Sequence, residues 1–315
     1  MNRSTQADLV FLFIVSLWGT SFALVKGALP LISPILFTVT RFALAALIWA
    51  ALFGKTLRGA SRGTFARGLL LGVVLGSGLV LQTAGLNFTT AGMSGFITGL
   101  AVVVVPLLVI LIERRLPKPT SLAGVALCTV GLAVLSSPSA VGLNRGDLLT
   151  IGCAVLFGLY IVLVEIFTGE GGYDPRALAV AQGIGVVLVS LVAMLLLEKP
   201  RMELTWSLAW RGTALGLMAA LTLPLQLYWQ RYISATRAAV ILTLEPPLAA
   251  LFGFILLGEI LSGAAYLGGG LIFAGMLVAE GGARLMPGNL RRLPGRWLQR
   301  VLTPTEPDHN VESDD

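Results

Sequence analysis

The sequence predicts an all-α integral membrane protein of ten transmembrane helices, built as two inverted-topology five-helix repeats. Three observations predict it: a composition that water would not tolerate, apolar blocks of membrane-crossing length, and an internal repeat with an odd number of spans in each copy. Of 315 residues, 56% are hydrophobic and only 12% are charged, about half the charge of an ordinary soluble domain. The apolar residues lie in blocks of about 20, the length a helix needs to cross a hydrocarbon core. Stretches such as Val102–Ile112 and Gly185–Leu197 are apolar on every face, which a soluble amphipathic helix is not.

Ten blocks are expected, at 8–29, 33–54, 66–86, 91–112, 120–137, 147–168, 175–197, 207–230, 236–257 and 263–280. The first is read as a span and not a leader peptide: only Arg3 precedes it, and Val25-Lys26-Gly27 offers no small-x-small cleavage site. The blocks divide the chain into a cytoplasmic N-terminus (1–7), a first five-span repeat (8–137), a connecting loop (138–146), a second repeat (147–281) and a tail (282–315). The tail is basic through Leu290–Arg300 and then Pro-rich and acidic, a composition that favours disorder and contact of its basic part with anionic lipid.

Orientation is read from the 22 Lys and Arg residues. With the N-terminus inside, the inner segments hold most of them, including Lys55, Arg58, Arg62 and Arg67, then Arg114, Arg115 and Lys118, and the arginines of the tail. The outer segments hold Lys26, Arg145, Lys199, Arg201 and Arg211. This bias places both termini in the cytoplasm and the protein in a plasma or inner membrane. The net charge of +6 is therefore a topology signal, and no nucleic-acid partner is expected. Cys128 and Cys153 both fall inside spans, which argues against a disulfide or metal framework.

The chain aligns with itself. Asp8-Leu9 and Leu17-Trp18-Gly19 match Asp147-Leu148 and Leu156-Phe157-Gly158 at a shift of 139, and Pro34 matches Pro175 at 141. From the third span the shift holds at 144: Arg67-Gly68 with Arg211-Gly212, Gly72 with Gly216, Gln82 with Gln226, Ala91 with Ala235, Gly124 with Gly268 and Gly131 with Gly275. Five spans per copy make the second enter from the opposite side, the construction common in secondary transporters with a midplane site between the halves.

Trp18-Gly19-Thr20-Ser21-Phe22, Arg41, Gly85-Leu86 with Thr90-Ala91, Ser234-Ala235, Glu245-Pro246, Gly258-Glu259, Gly268 and Gly275 together resemble the EamA-type members of the drug/metabolite transporter superfamily. The resemblance runs from 8 to 281 as two tandem modules. It implies a ten-helix inverted-repeat fold and, often, export of amino acids or other small metabolites. The first module departs from the pattern, with Val102 and Arg115 in the places of Pro246 and Glu259.

Polar residues inside hydrocarbon are costly and mark cavities or partners. Glu245 lies near mid-depth of the ninth span, followed by Pro246-Pro247, where lost backbone donors break or kink a helix. Its carboxylate either binds a substrate amine or coupling proton, or pairs structurally with a neighbouring helix. Arg41, whose repeat image is Gln182, either meets a substrate carboxylate, ties two helices together or snorkels outward. Thr222, Gln226 and Gln230, beside Tyr228 and Trp229, form one polar stripe, and Thr90, Ser94 and Thr98 another. Such stripes line water or glue helices. Gln82 and Gln226 are placed symmetrically by the repeat, while Trp18 and Tyr160 are candidates for an aromatic wall. The candidate substrate-binding set is thus Trp18, Arg41, Gln82, Thr98, Tyr160, Gln226 and Trp229, with Glu245 as coupling carboxylate. Glu113, Glu165, Glu259 and Glu280 fall near span ends and read as interfacial.

Enzymatic readings find little support. The single histidine, His309, lies in the tail, and Gly54-Lys55-Thr56 lacks the glycine a phosphate loop needs at position 49, which is Trp. The expectation is a secondary transporter, an exporter by resemblance, working by alternating access on a small molecule with no cofactor beyond a proton gradient, as a monomer or homodimer. A flippase for a lipid-linked metabolite, or a channel or facilitator, is the alternative.

Overall fold

The computed structural model describes residues 2–113, 119–135, 143–169, 173–242, 244–260 and 263–284. Arg114, Arg115, Lys118 and the tail from 285 onward lie outside the described residues, as do the side chains of Glu113 and Glu280. The described chain is all-α. Its helices are α1 (Arg3–Ala28), α2 (Pro34–Arg58), α3 (Arg62–Gly85), α4 (Ala91–Thr98), α5 (Ala101–Glu113), α6 (Pro119–Leu135), α7 (Arg145–Thr168), α8 (Pro175–Leu197), α9 (Trp206–Trp229), α10 (Ala235–Leu242), α11 (Glu245–Leu257) and α12 (Gly263–Arg284).

Local chemistry sets these boundaries. Ser61, Thr90 and Thr205 cap α3, α4 and α9 by accepting from the backbone N–H three residues on. Asn144 and Asp147 form a reciprocal capping box on α7. Pro34 and Pro175 sit in the first turns of α2 and α8, where the missing N–H costs nothing. Gly258, at φ 66°, ends α11 in the left-handed conformation that a Cβ would strain.

Eight segments among the described residues are long and apolar enough to cross a membrane, counting α4–α5 and α10–α11 as one segment each. This makes the chain a multi-pass integral membrane protein. The sequence expectation of ten spans also counts α6, at 17 residues, and α12. The helices extend past the apolar blocks at several ends: α1 begins at Arg3 and α2 runs to Arg58.

Two segments are broken, and at matching places. α10 ends at Leu242 and α11 starts at Glu245, with Pro246 and Pro247 in its first turn, as the prolines predict. α4 ends at Thr98 and α5 starts at Ala101 without any proline, through a tightened turn in which Leu100 N–H donates to Ile97 O and Val102 N–H to Gly99 O. Pro106 lies inside α5 and does not interrupt it. The two breaks are repeat images, so the bend belongs to the fold and proline only secures one copy.

The packing repeats as well. α6 lies on α12, α2 on α8, and every cross-pair has its image: α3 on α8 with α2 on α9, α3 on α7 with α1 on α9, α1 on α11 with α5 on α7. Gly19 lets α1 close on Leu248 of α11, and its image Gly158 lets α7 close on Val104 of α5. A Cβ on Gly131 would stand 2.7 Å from the Gly268 carbonyl oxygen, and one on Gly275 2.8 Å from that of Gly124. These glycines are contact points between halves, which explains why they recur at the repeat spacing.

Candidate functional site

The break before α11 brings an ionisable residue into the bundle. Glu245 is its first residue, half-buried, and among the described residues its carboxylate has no hydrogen-bond or ion-pair partner. It lies within electrostatic reach of Cys153 on α7, a buried thiol next to Thr98 at the end of α4. Thr98 Oγ1 also accepts from Gln82 Nε2 of α3 at 3.1 Å. Four elements therefore converge, with α4 packed on both α7 and α11. Free backbone groups at such breaks, beside an unpaired carboxylate, suit recognition of a cation or a proton. Cys153 is the residue sequence reasoning placed in a span without a role, since a lone cysteine carries no spacing signal.

The other candidates stand elsewhere. Gln226 is buried but donates to Gln230 Oε1 at 3.3 Å, and Gln230 in turn donates to the Ile161 carbonyl of α7 at 2.6 Å. Thr222 bonds back to Met218 O at 2.8 Å. That stripe acts as interhelical glue, so the symmetry of Gln82 and Gln226 does not extend to their partners. Tyr160 gives its hydroxyl to Gln182 Oε1 at 3.2 Å, and among the described residues no ring contact joins it to Trp18. Trp18 is half-buried on the main core, one residue before the α1–α11 crossing at Gly19. Trp229 belongs to an edge-to-face cluster with Tyr228 and Tyr232 at the end of α9, which Arg3 and Arg231 overlie.

Arg41 is 3% exposed. Its Nη2 donates to Thr83 Oγ1 at 3.1 Å, and its guanidinium lies 5.1 and 5.7 Å from the centroids of Phe42 and Phe37. Among the described residues no carboxylate pairs with it, and its buried Nε has no partner. It thus neither ties to a Glu nor reaches open water. Its image Gln182 is fully buried, with Nε2 likewise unpartnered.

Two further clusters close the ends of α4 and α10. Glu259 accepts from Ala91 N–H at 2.9 Å and from Gly92 N–H at 3.3 Å, capping α4. Lys26 donates to the Leu86 and Thr89 carbonyls beside it, and Asp147 accepts from Thr89 Oγ1 at 2.7 Å. At the other end, Glu165 accepts from Ala235 N–H of α10 at 2.6 Å, while Asp8 of α1 pairs with Arg237 at 2.5 Å. Glu259 and Glu165 each neutralise the positive end of a short helix. Glu165 and Glu259 read as merely interfacial in the sequence, because their targets are backbone groups far away along the chain.

Comparison with known proteins agrees with this architecture. The family model described as the EamA-like transporter family matches residues 5–137 and again 144–280. A protein of Archaeoglobus fulgidus described as an uncharacterised transporter is 33% identical over 279 residues, spanning 88% of this chain and 87% of its own. A solved crystal structure superposes with a TM-score of 0.65 at 20% identity, covering 89% of this chain and 99% of that one, a likeness of fold. The chain belongs to the EamA-like transporter family, as two tandem modules.

Proposed function

We propose that the chain is a ten-span secondary transporter whose two five-helix halves, inverted with respect to each other, rock about the junction of the helix breaks. The reading makes it an exporter of a small metabolite, an amino acid or related compound, in the plasma or inner membrane with both termini cytoplasmic. The observation that carries it is Glu245, an ionisable group within the bundle, unpaired among the described residues, at a break whose image in the other half is also broken. An unpaired carboxylate in a low-dielectric site is expensive, and its cost is offset when a proton or a substrate ammonium occupies it. Gln82 and Thr98 offer the neighbouring hydrogen bonds, and Trp18 borders the path along α1. The matched contacts of the halves support alternating access, because one arrangement of near-equivalent seams can exchange for its mirror.

The test is transport of a labelled amino-acid panel in proteoliposomes with and without a pH gradient, comparing wild type with Glu245→Gln. Gradient-driven movement of one compound is expected, and the variant should reconstitute yet lose it. Full gradient-driven transport by Glu245→Gln would reject the role.

A further inference from the structure

The seam between α2 and α9 holds a cleft of about 210 Å³ lined by Phe37, Thr40, Arg41, Leu44, Leu208 and Gly212. Its rim is formed by Met202 and Leu204, at 46% and 83% exposed. Thr40 and Thr213 on its flanks are also exposed, so it opens sideways from the bundle and not toward the Glu245 junction. Everything that lines it is apolar or a hydroxyl except one residue, Arg41, whose guanidinium reaches the Thr83 hydroxyl of α3. That guanidinium is a buried cation with one hydrogen bond to a neutral hydroxyl, an unpartnered Nε and no carboxylate among the described residues. A buried unpaired charge is strongly unfavourable unless an anion joins it.

The cleft is built into one of the two matching seams alone. On the image seam, a Cβ on Gly68 of α3 would stand 2.5 Å from the Ala181 Cβ and 2.9 Å from the Leu178 carbonyl oxygen, so the two helices touch. On the α2–α9 seam the equivalent Gly212 has Phe37 as its nearest neighbour at 3.6 Å, with space beyond. Where the tight seam carries neutral Gln182, the loose one carries Arg41. Charge and space thus occur together, on the same seam, at the same level.

We propose that this cleft is a binding site for an anionic membrane lipid, whose phosphate or carboxylate headgroup meets Arg41 while its chains follow Leu44 and Leu204. The sideways opening and the apolar lining favour a lipid over a soluble anion. Arg41 lies seven residues into α2, roughly 10 Å below its start. The site is separate from the Glu245 junction and does not depend on the transport reading.

The experiment is native mass spectrometry of the full-length protein released from mixed micelles, with phosphatidylglycerol and phosphatidylcholine as probes. Three proteins are compared: wild type, Arg41→Gln, which installs the side chain of the image position, and Gly212→Leu, which fills the cleft and leaves every charge in place. Wild type should retain phosphatidylglycerol over phosphatidylcholine, and both variants should lose that retention by about fivefold, the attraction of one basic residue for anionic lipid. Equal retention of the two lipids by wild type overturns the site, as does retention that survives in either variant. Displacement of the lipid by millimolar inorganic phosphate would assign the cleft to a free anion instead and overturn the lipid assignment. Circular dichroism melting verifies that each variant is folded, and a double variant of Thr213→Leu with Thr40→Leu fills the same cleft if Gly212→Leu is not.

Discussion

The α3–α8 seam and the α2–α9 seam are the same piece of fold made twice, and they differ in one physical respect. In α3–α8, glycines at 68 and 72 bring the helices into backbone contact against Leu178 and Gln182. In α2–α9, the corresponding Gly216 still closes on the Arg41 carbonyl, with 3.0 Å left for a Cβ, but Phe37 holds Gly212 off. Deeper along α2, Trp49 reseals the seam by donating to the Ala220 carbonyl at 2.8 Å, where the other copy has Ser190, buried and unpartnered. Glu198 accepts from the Ile35 and Leu36 N–H groups at 3.0 and 2.9 Å, and Ser33 N–H donates to the Arg201 carbonyl at 2.9 Å, tying the start of α2 to the end of α8 and the loop that follows it. A duplicated fold thus keeps its backbone crossings and spends its freedom on side chains between them.

The sharpest way to break the comparison is at the junction between the halves. Glu245 and its image Ala101 occupy the same place in the two breaks, so Glu245→Gln should cost about 100-fold in gradient-driven transport, at the upper end of ordinary coupling energies, whereas Ala101→Ser should leave it within a few-fold; proteoliposome flux decides. Next come the seams themselves. Gly68→Ala should lower stability by about 2 kcal/mol through overpacking, and Gly212→Ala should change it by less than about 0.5 kcal/mol. Thermal unfolding in detergent compares them, and equal losses would mean that the seams do not differ in the membrane protein.

A smaller contrast lies at the starts of α1 and α7. Asp147 is buried in a capping box, so Asp147→Ala should cost about 1–2 kcal/mol. Asp8, its repeat image, is 24% exposed and paired with Arg237, so Asp8→Ala should cost about 1 kcal/mol or less. The smallest effect is expected at Asp174, which caps α8 from outside the spans. Burial raises its carboxyl, but hydrogen bonds and charge from Arg176, at 3.1 Å, more than offset this and leave it below the ordinary carboxylate range. Its contribution is therefore present above the unfolded-state value near 3.9 and is lost as pH falls through the lowered folded value. At 36% exposure for the carboxylate side chain, solvent screening keeps it within about 0.5 kcal/mol. Melting of Asp174→Asn against wild type should show the small difference at pH 7 and its shrinkage as the pH is lowered into acid.

Much of the fold was legible along the chain. Eight of the spans, the break before Glu245 and the recurrence of the contact glycines Gly131 and Gly275 follow from local hydropathy, from proline and from a constant repeat shift. The second break, between Thr98 and Ala101, carried no such mark, because its turn is held by packing against α7 and α11 and not by a residue that forbids helix. Of the candidate site, Glu245, Gln82 and Thr98 came together, whereas Gln226, Tyr160 and Trp229 were already engaged with Gln230, Gln182 and Tyr232. Residue type tells that a side chain needs a partner; it does not tell which helix supplies one.

By itself the sequence determined a duplicated, membrane-embedded bundle, since apolar length and repeat spacing are properties of a chain read in one dimension. Only the tertiary structure decided that Arg41 faces a lateral cleft, that Cys153 sits beside Glu245, and that Glu165 and Glu259 cap α10 and α4. The physical reason is that those outcomes depend on distances between helices, and the separation of two helices is set by which side chains meet across them.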